Sequence, residues 1–316
     1  MVRASAFAAT IVSVLLVGHE THGETAAPAS ASVSLPYRPT AGQIWVVEIE
    51  RTKAIADRGV TTTESGKISG RYEVIGSREG GYSSAWTITE LSSGPIPLYN
   101  WAVISVLRGM RLEFDTDIRG APVALRNWPS VRDIVETQLL ALPKYAGHQA
   151  AQNTIHKFFF GLAPETAVPY FLQELDIIAS CQNTDLPIGK ETTTTDTTQN
   201  QAGEPFANSR SSLLVGVDQI ARTATLKFHM TSDAEKLSGV LVDTVEKLNP
   251  ETGETEKQIV RTDAAVHKSN TADCAVDIDS GVTRHVLYEE RLEAIGQDRT
   301  KVFVDIWNMT VTPTAK

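Results

Sequence analysis

The feature that most constrains this chain is a change of hydrophobic period, from two to roughly that of a helix and back to two. Ile68, Tyr72 and Val74 fall on one side of an extended segment, with Lys67, Ser69, Arg71 and Glu73 on the other. Successive side chains of a strand point to opposite faces, so this spacing predicts a strand half-buried against a core. Met110, Leu112 and Phe114 alternate with Arg111, Glu113 and Asp115 in the same way. So do Ala224, Leu226, Phe228 and Met230 with Thr225, Lys227 and His229.

Further strands follow from the same reading. Gly42 to Ile55 carries Ile44, Trp45, Val46, Val47 and Ile49, and Tyr82 to Leu91 places Trp86 and Ile88 on one face. Ser77 to Gly81 reads as a hairpin connection, because glycine permits positive φ. Asp115 to Gly120 turns the chain toward Val123 and Leu125. Later, Leu213, Val215 and Val217 alternate. Three strands close the chain: Gln258 to Val266, Cys274 to Leu292 broken at Asp279-Ser280-Gly281, and Lys301 to Val311.

The centre has a different period. Ser130 and Asp133 resemble a capping box opening a helix from Val131 to Leu142, which Pro143 ends. A second helix is expected from His148 to Phe160 and a third from Thr166 to Ser180, disturbed at its start by Pro164 and Pro169. The threonine-rich stretch 190–204 reads either as a mobile crossing loop or as an exposed strand, with the loop expected for its later part. Ser232 and Glu235 form another capping box, opening a helix to Leu248 with Leu237, Leu241 and Val245 on one side. The expected fold is therefore α+β: a mainly antiparallel, curved, half-barrel-like sheet with an inserted helical segment.

The organisation expected is a leader over 1–31 and one β-rich domain over 32–316. That domain has two similar halves, about 38–127 and 205–316, joined by a helical segment at 128–190. Phe114-Asp115-Thr116-Asp117-Ile118-Arg119-Gly120 and Val276-Asp277-Ile278-Asp279-Ser280-Gly281 carry the likeness between halves. Duplication explains it, and so does shared hairpin chemistry, since Asp and Gly are favoured in turns.

The leader is read from Arg3 followed by the apolar run Ala6 to Val17 and then small residues, with cleavage after Gly23 or after Ala31. This implies a periplasmic or secreted protein. No later apolar stretch approaches the roughly 20 residues of a membrane helix, so no span is expected after cleavage. Cleavage after Ala31 removes Arg3, Glu20 and Glu24 and shifts the formal net charge from −9 to −8. An acidic chain with no basic footprint argues against nucleic acid as a partner. Cys181 and Cys274 are the only cysteines, and export permits a disulfide between them; two buried free thiols are the alternative.

Motifs for chemistry are sparse. Asp115, Asp117 and Gly120 lack the further oxygen ligands of a calcium loop, and Arg119 and Arg126 fall where ligands belong. His148, His156, His229, His267 and His285 make no chelating motif, so no metal is expected. There is no Gly-x-Ser-x-Gly elbow, no phosphate-binding loop and no dinucleotide fingerprint, hence no cofactor expectation and no positive sign of an enzyme. A hydrolase would need a concave carboxylate cluster together with His285 or His229. Asn308-Met309-Thr310 is a formal glycosylation acceptor within an expected strand. The aromatic centre offers the candidate ligand contacts: Phe158, Phe159, Phe160, Tyr170 and Phe171.

The sheet–helices–sheet order in an exported acidic chain resembles the half-barrel carriers of the bacterial envelope, such as lipoprotein carriers. That resemblance implies a curved sheet plugged by helices and an apolar or amphiphilic ligand. The reading that follows is an exported, non-catalytic binding protein for a hydrophobic or amphiphilic small molecule. The alternative is an envelope structural or protein-interaction module.

Overall fold

The computed structural model describes residues 32–96, 98, 101–142, 147–199, 205–232, 265–295 and 300–314. β2 (Ile44–Asp57), β3 (Val60–Arg78), β4 (Gly81–Ser93), β5 (Arg111–Thr116) and β6 (Pro122–Leu125) run as one antiparallel meander. β8 (Glu191–Gln199), β9 (Pro205–Asp218), β10 (Thr223–Ser232), β11 (Ala265–Asp277), β12 (Thr283–Ile295) and β13 (Thr300–Pro313) run as a second. The last strand returns to the first of the large sheet: β13 pairs with β2 from Lys301 opposite Asp57 to Pro313 opposite Trp45. The result is a single 11-stranded sheet, unclosed, with β6 and β8 at its edges. The α+β class and the curved antiparallel sheet expected from the sequence are both present. A separate two-stranded sheet pairs β1 (Ser32–Leu35) with β7 (Thr184–Pro187).

Curvature has local causes. Register shifts occur at Ser69/Gly70, Val74/Gly76, Asp115/Thr116, Thr225/Leu226 and Ala275/Val276. Such bulges bend a strand and increase its twist. One of them changes a sequence expectation. Thr225 faces Gly216 and Leu226 faces Leu214, so Val215 is the extra residue. Leu214 is therefore buried and Val215 is 46% exposed, the reverse of a plain alternation.

The inner face carries Trp45, Val47, Ile49, Ile68, Val74, Trp86, Leu112 and Phe114, all buried. Gly70 makes room for this packing, since a Cβ there would sit 2.1 Å from the Trp86 ring. Helices cover that face: α1 (Trp101–Leu107) between β4 and β5, then α2 (Trp128–Leu140), α3 (Gln149–Gly161), α4 (Pro164–Phe171) and α5 (Gln173–Ala179).

α2 starts three residues before the expected position, and its Asn127 cap is used elsewhere. The Asn127 amide oxygen accepts from the Glu113 N–H at 2.9 Å, and its NH2 donates to the Arg111 carbonyl at 2.8 Å. It extends the β5 ladder instead of capping the helix. The single helix expected from Thr166 to Ser180 is two, broken at Leu172, whose φ of −134° leaves the helical region. Of the two readings of the threonine-rich stretch, the strand holds over Glu191–Gln199 (β8), because β-branched threonines suit a pleated edge, and residues 200–204 lie outside the described residues. Ser232 ends β10, and the rest of the helix expected to Leu248, the start of the strand at 258–264 and the leader at 1–31 lie outside the described residues.

Candidate functional site

Strand register builds the site. Reading across β2, β13, β12 and β11, Ile49, Met309, Val286 and Cys274 form one row on the inner face. All four are buried. The next row is Arg51, Trp307, Tyr288 and Ala272, and the row after it Lys53, Asp305, Glu290 and Asn270. A final row, Ile55, Phe303, Leu292 and Lys268, returns to apolar side chains on its first three strands, all half-buried. A charged belt thus lies between a dry core and an apolar rim.

The belt is densely paired. Arg51 Nε donates to Asp305 Oδ1 at 2.9 Å and Nη2 to Oδ2 at 2.5 Å. Its guanidinium also lies 3.7 Å above the Trp307 ring. Lys53 Nζ is 3.6 Å from Asp305, and Lys268 Nζ is 2.9 Å from Glu290. Side-chain exposure is 26% at Lys53, 12% at Asp305 and 17% at Glu290 along the row, and 8% at Lys268 in the row beyond it. Burial and the neighbouring Arg51 lower the Lys53 pKa against the pull of Asp305 and Glu290.

Helix α5 lays two carboxyls over this face. Burial raises Glu174 to about 7, opposed by its own backbone, by Arg51 and by the Trp86 indole. Burial likewise raises Asp176 to about 6, with Arg119 lowering it and Asp117 raising it. Tyr288 is pushed well above the usual phenol value, first by burial and then by Glu290, Asp176 and Asp305.

Among the described residues, two polar atoms in the belt have no hydrogen-bond partner: Asn270 Oδ1 and Trp307 Nε1. Their residues are 8% and 2% exposed. Buried polar groups are almost always paired, so these two stand out.

The sequence did not single out this belt, yet it left a trace. Ile49, Arg51, Lys53 and Ile55 share one strand face, as do Phe303, Asp305, Trp307 and Met309. Charged residues in the apolar phase of a strand were the available signal.

The aromatic candidates lie elsewhere. Phe159 and Phe171 are buried and stack with Trp128 at centroid distances of 6.3 and 5.0 Å. Tyr170 packs against the same core from a half-buried position. The side chains of Phe158 and Phe160 lie outside the described residues. A cavity of about 20 Å³ lies between Tyr37, Trp45, Tyr72, Leu175, Ile178 and Gln182. That is room for about one water and too little for an acyl chain.

Cys181 and Cys274 are disulfide-bonded. Among the described residues no helix is long and apolar enough to cross a membrane. The paired aspartate turns hold themselves together: Asp117 Oδ1 accepts from the Arg119 and Ala121 N–H groups, and Asp277 Oδ1 from Ser280. His229 and His285 are exposed on the opposite face of their strands, away from the carboxylates of the belt.

No family model and no curated protein matches this chain. Among solved structures it is similar to one described as "lipid-protein interactions in lipovitellin", with a TM-score of 0.41 and 11% identity. The match covers 88% of this chain and 26% of that one, so the chain spans about a quarter of that protein's length. A likeness at this level transfers no activity.

Proposed function

We propose that this is an exported, non-catalytic binding protein for an amphiphilic small molecule. The ligand's polar group meets the Lys53–Asp305–Glu290–Asn270 row, and its apolar part lies along Ile55, Phe303 and Leu292. One observation carries the reading: a partly exposed charged row, bordered by a half-buried apolar rim, contains Asn270 Oδ1, which has no hydrogen-bond partner among the described residues. An amphiphile matches both halves of such a surface, whereas a wholly apolar ligand would leave the row unsatisfied. The aromatic helical layer supports the sheet and is not part of this site.

Native mass spectrometry of protein exported by its own leader, before and after organic extraction, tests the proposal. A mass excess that extraction removes, and that Phe303→Asp abolishes, is the expected result. A clean apo mass in the unextracted protein would sink it.

A second reading, an envelope interaction module, draws on the sheet edge. β8 is nine residues long and carries neither lysine nor proline. Among the described residues only β9 pairs with it. Such an edge is a template for another strand. Sedimentation of Thr193→Lys beside the parent chain tests this; loss of an assembled species supports it, and identical monomers count against it.

A further inference from the structure

The belt commits its cations but not all of its neutral groups. Arg51 is held by both oxygens of Asp305 and stacked on Trp307. Lys53 lies against the same carboxylate, and Lys268 against Glu290. An amphiphile with a carboxylate head would have to take one of these cations from its existing partner. Failing that, it would set a further anion beside Asp305 and Glu290 where solvent screens poorly.

The uncommitted atoms ask for something else. Asn270 Oδ1 is an acceptor that needs a donor, and Trp307 Nε1 is a donor that needs an acceptor. A hydroxyl offers Asn270 the donor it needs, which a carboxylate cannot. A hydrophobic site rejects poorly, but a buried polar atom left unpaired discriminates strongly between ligands.

Resting on the binding reading above, we propose that the ligand is an uncharged amphiphile with a hydroxyl-bearing head, and that Asn270 selects for it. The head donates to Asn270 Oδ1 beside Glu290, and the chain follows Leu292 and Phe303 along the rim. Asn270 is then a specificity residue of the inner face, contributed by β11.

Calorimetric titration of the full chain with 1-lauroylglycerol and with laurate, at neutral pH and below their micellar concentrations, separates the outcomes. The two share one acyl chain and differ in head charge. Lauroylglycerol is expected to bind at least about tenfold tighter, the ratio that 1.4 kcal/mol produces. Asn270→Leu is expected to bring the two within about threefold while leaving the urea midpoint near that of the parent. Laurate binding as tightly or more tightly in the unmodified chain would overturn the inference without any variant, and would leave the amphiphile reading intact. An unchanged ratio in a folded Asn270→Leu protein would also overturn it. Binding of neither probe would remove the amphiphile reading and this inference with it.

Discussion

Arg51 and Asp305 meet across adjacent strands although 254 residues separate them in the chain. Two hydrogen bonds join them, and the pair sits where β2 and β13 bring the two meanders together. An ion pair so deeply buried repays its desolvation only while both partners are present. Asp305→Ala should therefore cost about 3–5 kcal/mol, because Arg51 is left charged and uncompensated. The double variant Arg51→Met, Asp305→Leu should recover most of that loss. Urea denaturation of the three proteins measures it; a double variant as unstable as the single one would show that the charges, not their imbalance, hold the junction.

Glu174 makes stability depend on pH in an unusual direction. Its pKa rises from 4.5 to about 7 on folding, so between those values the folded chain keeps a proton that the unfolded chain has lost. Stability therefore falls as pH rises through that window and levels off above it, by about 3 kcal/mol in all. Asp176, raised from 3.8 to about 6, contributes in the same sense at lower pH. Glu174→Gln should match the parent near pH 4 and exceed its stability at pH 8. Equal unfolding midpoints at pH 8 would contradict this.

The Cys181–Cys274 bond ties the end of the helical layer to β11 across a separation of 93 residues. Closing so long a loop restricts the unfolded chain, and its removal by Cys181→Ala with Cys274→Ala should cost about 2–4 kcal/mol. The same shift should appear when the parent is unfolded under reducing conditions. Insensitivity of the parent to reductant would argue that the bond does not form in the purified protein.

Gly281 controls the docking of the first strand. It has a φ of +67°, and a Cβ there would lie 2.2 Å from the Pro36 carbonyl oxygen, which is backbone and cannot swing away. The Arg38 N–H also donates to the Ser280 carbonyl at 2.9 Å. Gly281→Ala should therefore loosen residues 32–38 through both strain and contact. Hydrogen exchange should rise in Ser32–Leu35 and in its partner Thr184–Pro187, with the centre of the large sheet protected as before. Unchanged protection in β1 would contradict the assignment.

Alternation and turn residues alone determined most of the strands, the Ser77–Gly81 hairpin and the antiparallel class, because pleat and turn are local properties. The block of helices was legible for the same reason, although its boundaries were not. Asn127 was drawn into the β5 ladder, and Leu172 left the helical region between two packed segments. Tertiary structure decided the rest. A threonine run reads equally as loop or strand until β9 offers it a ladder. Arg51, Lys53, Glu290 and Asp305 read as isolated polar interruptions of apolar strand faces. Only the pairing of β13 with β2 sets Arg51 and Lys53 beside the carboxylates, because register between strands more than 200 residues apart arises from the assembled sheet and not from any local pattern.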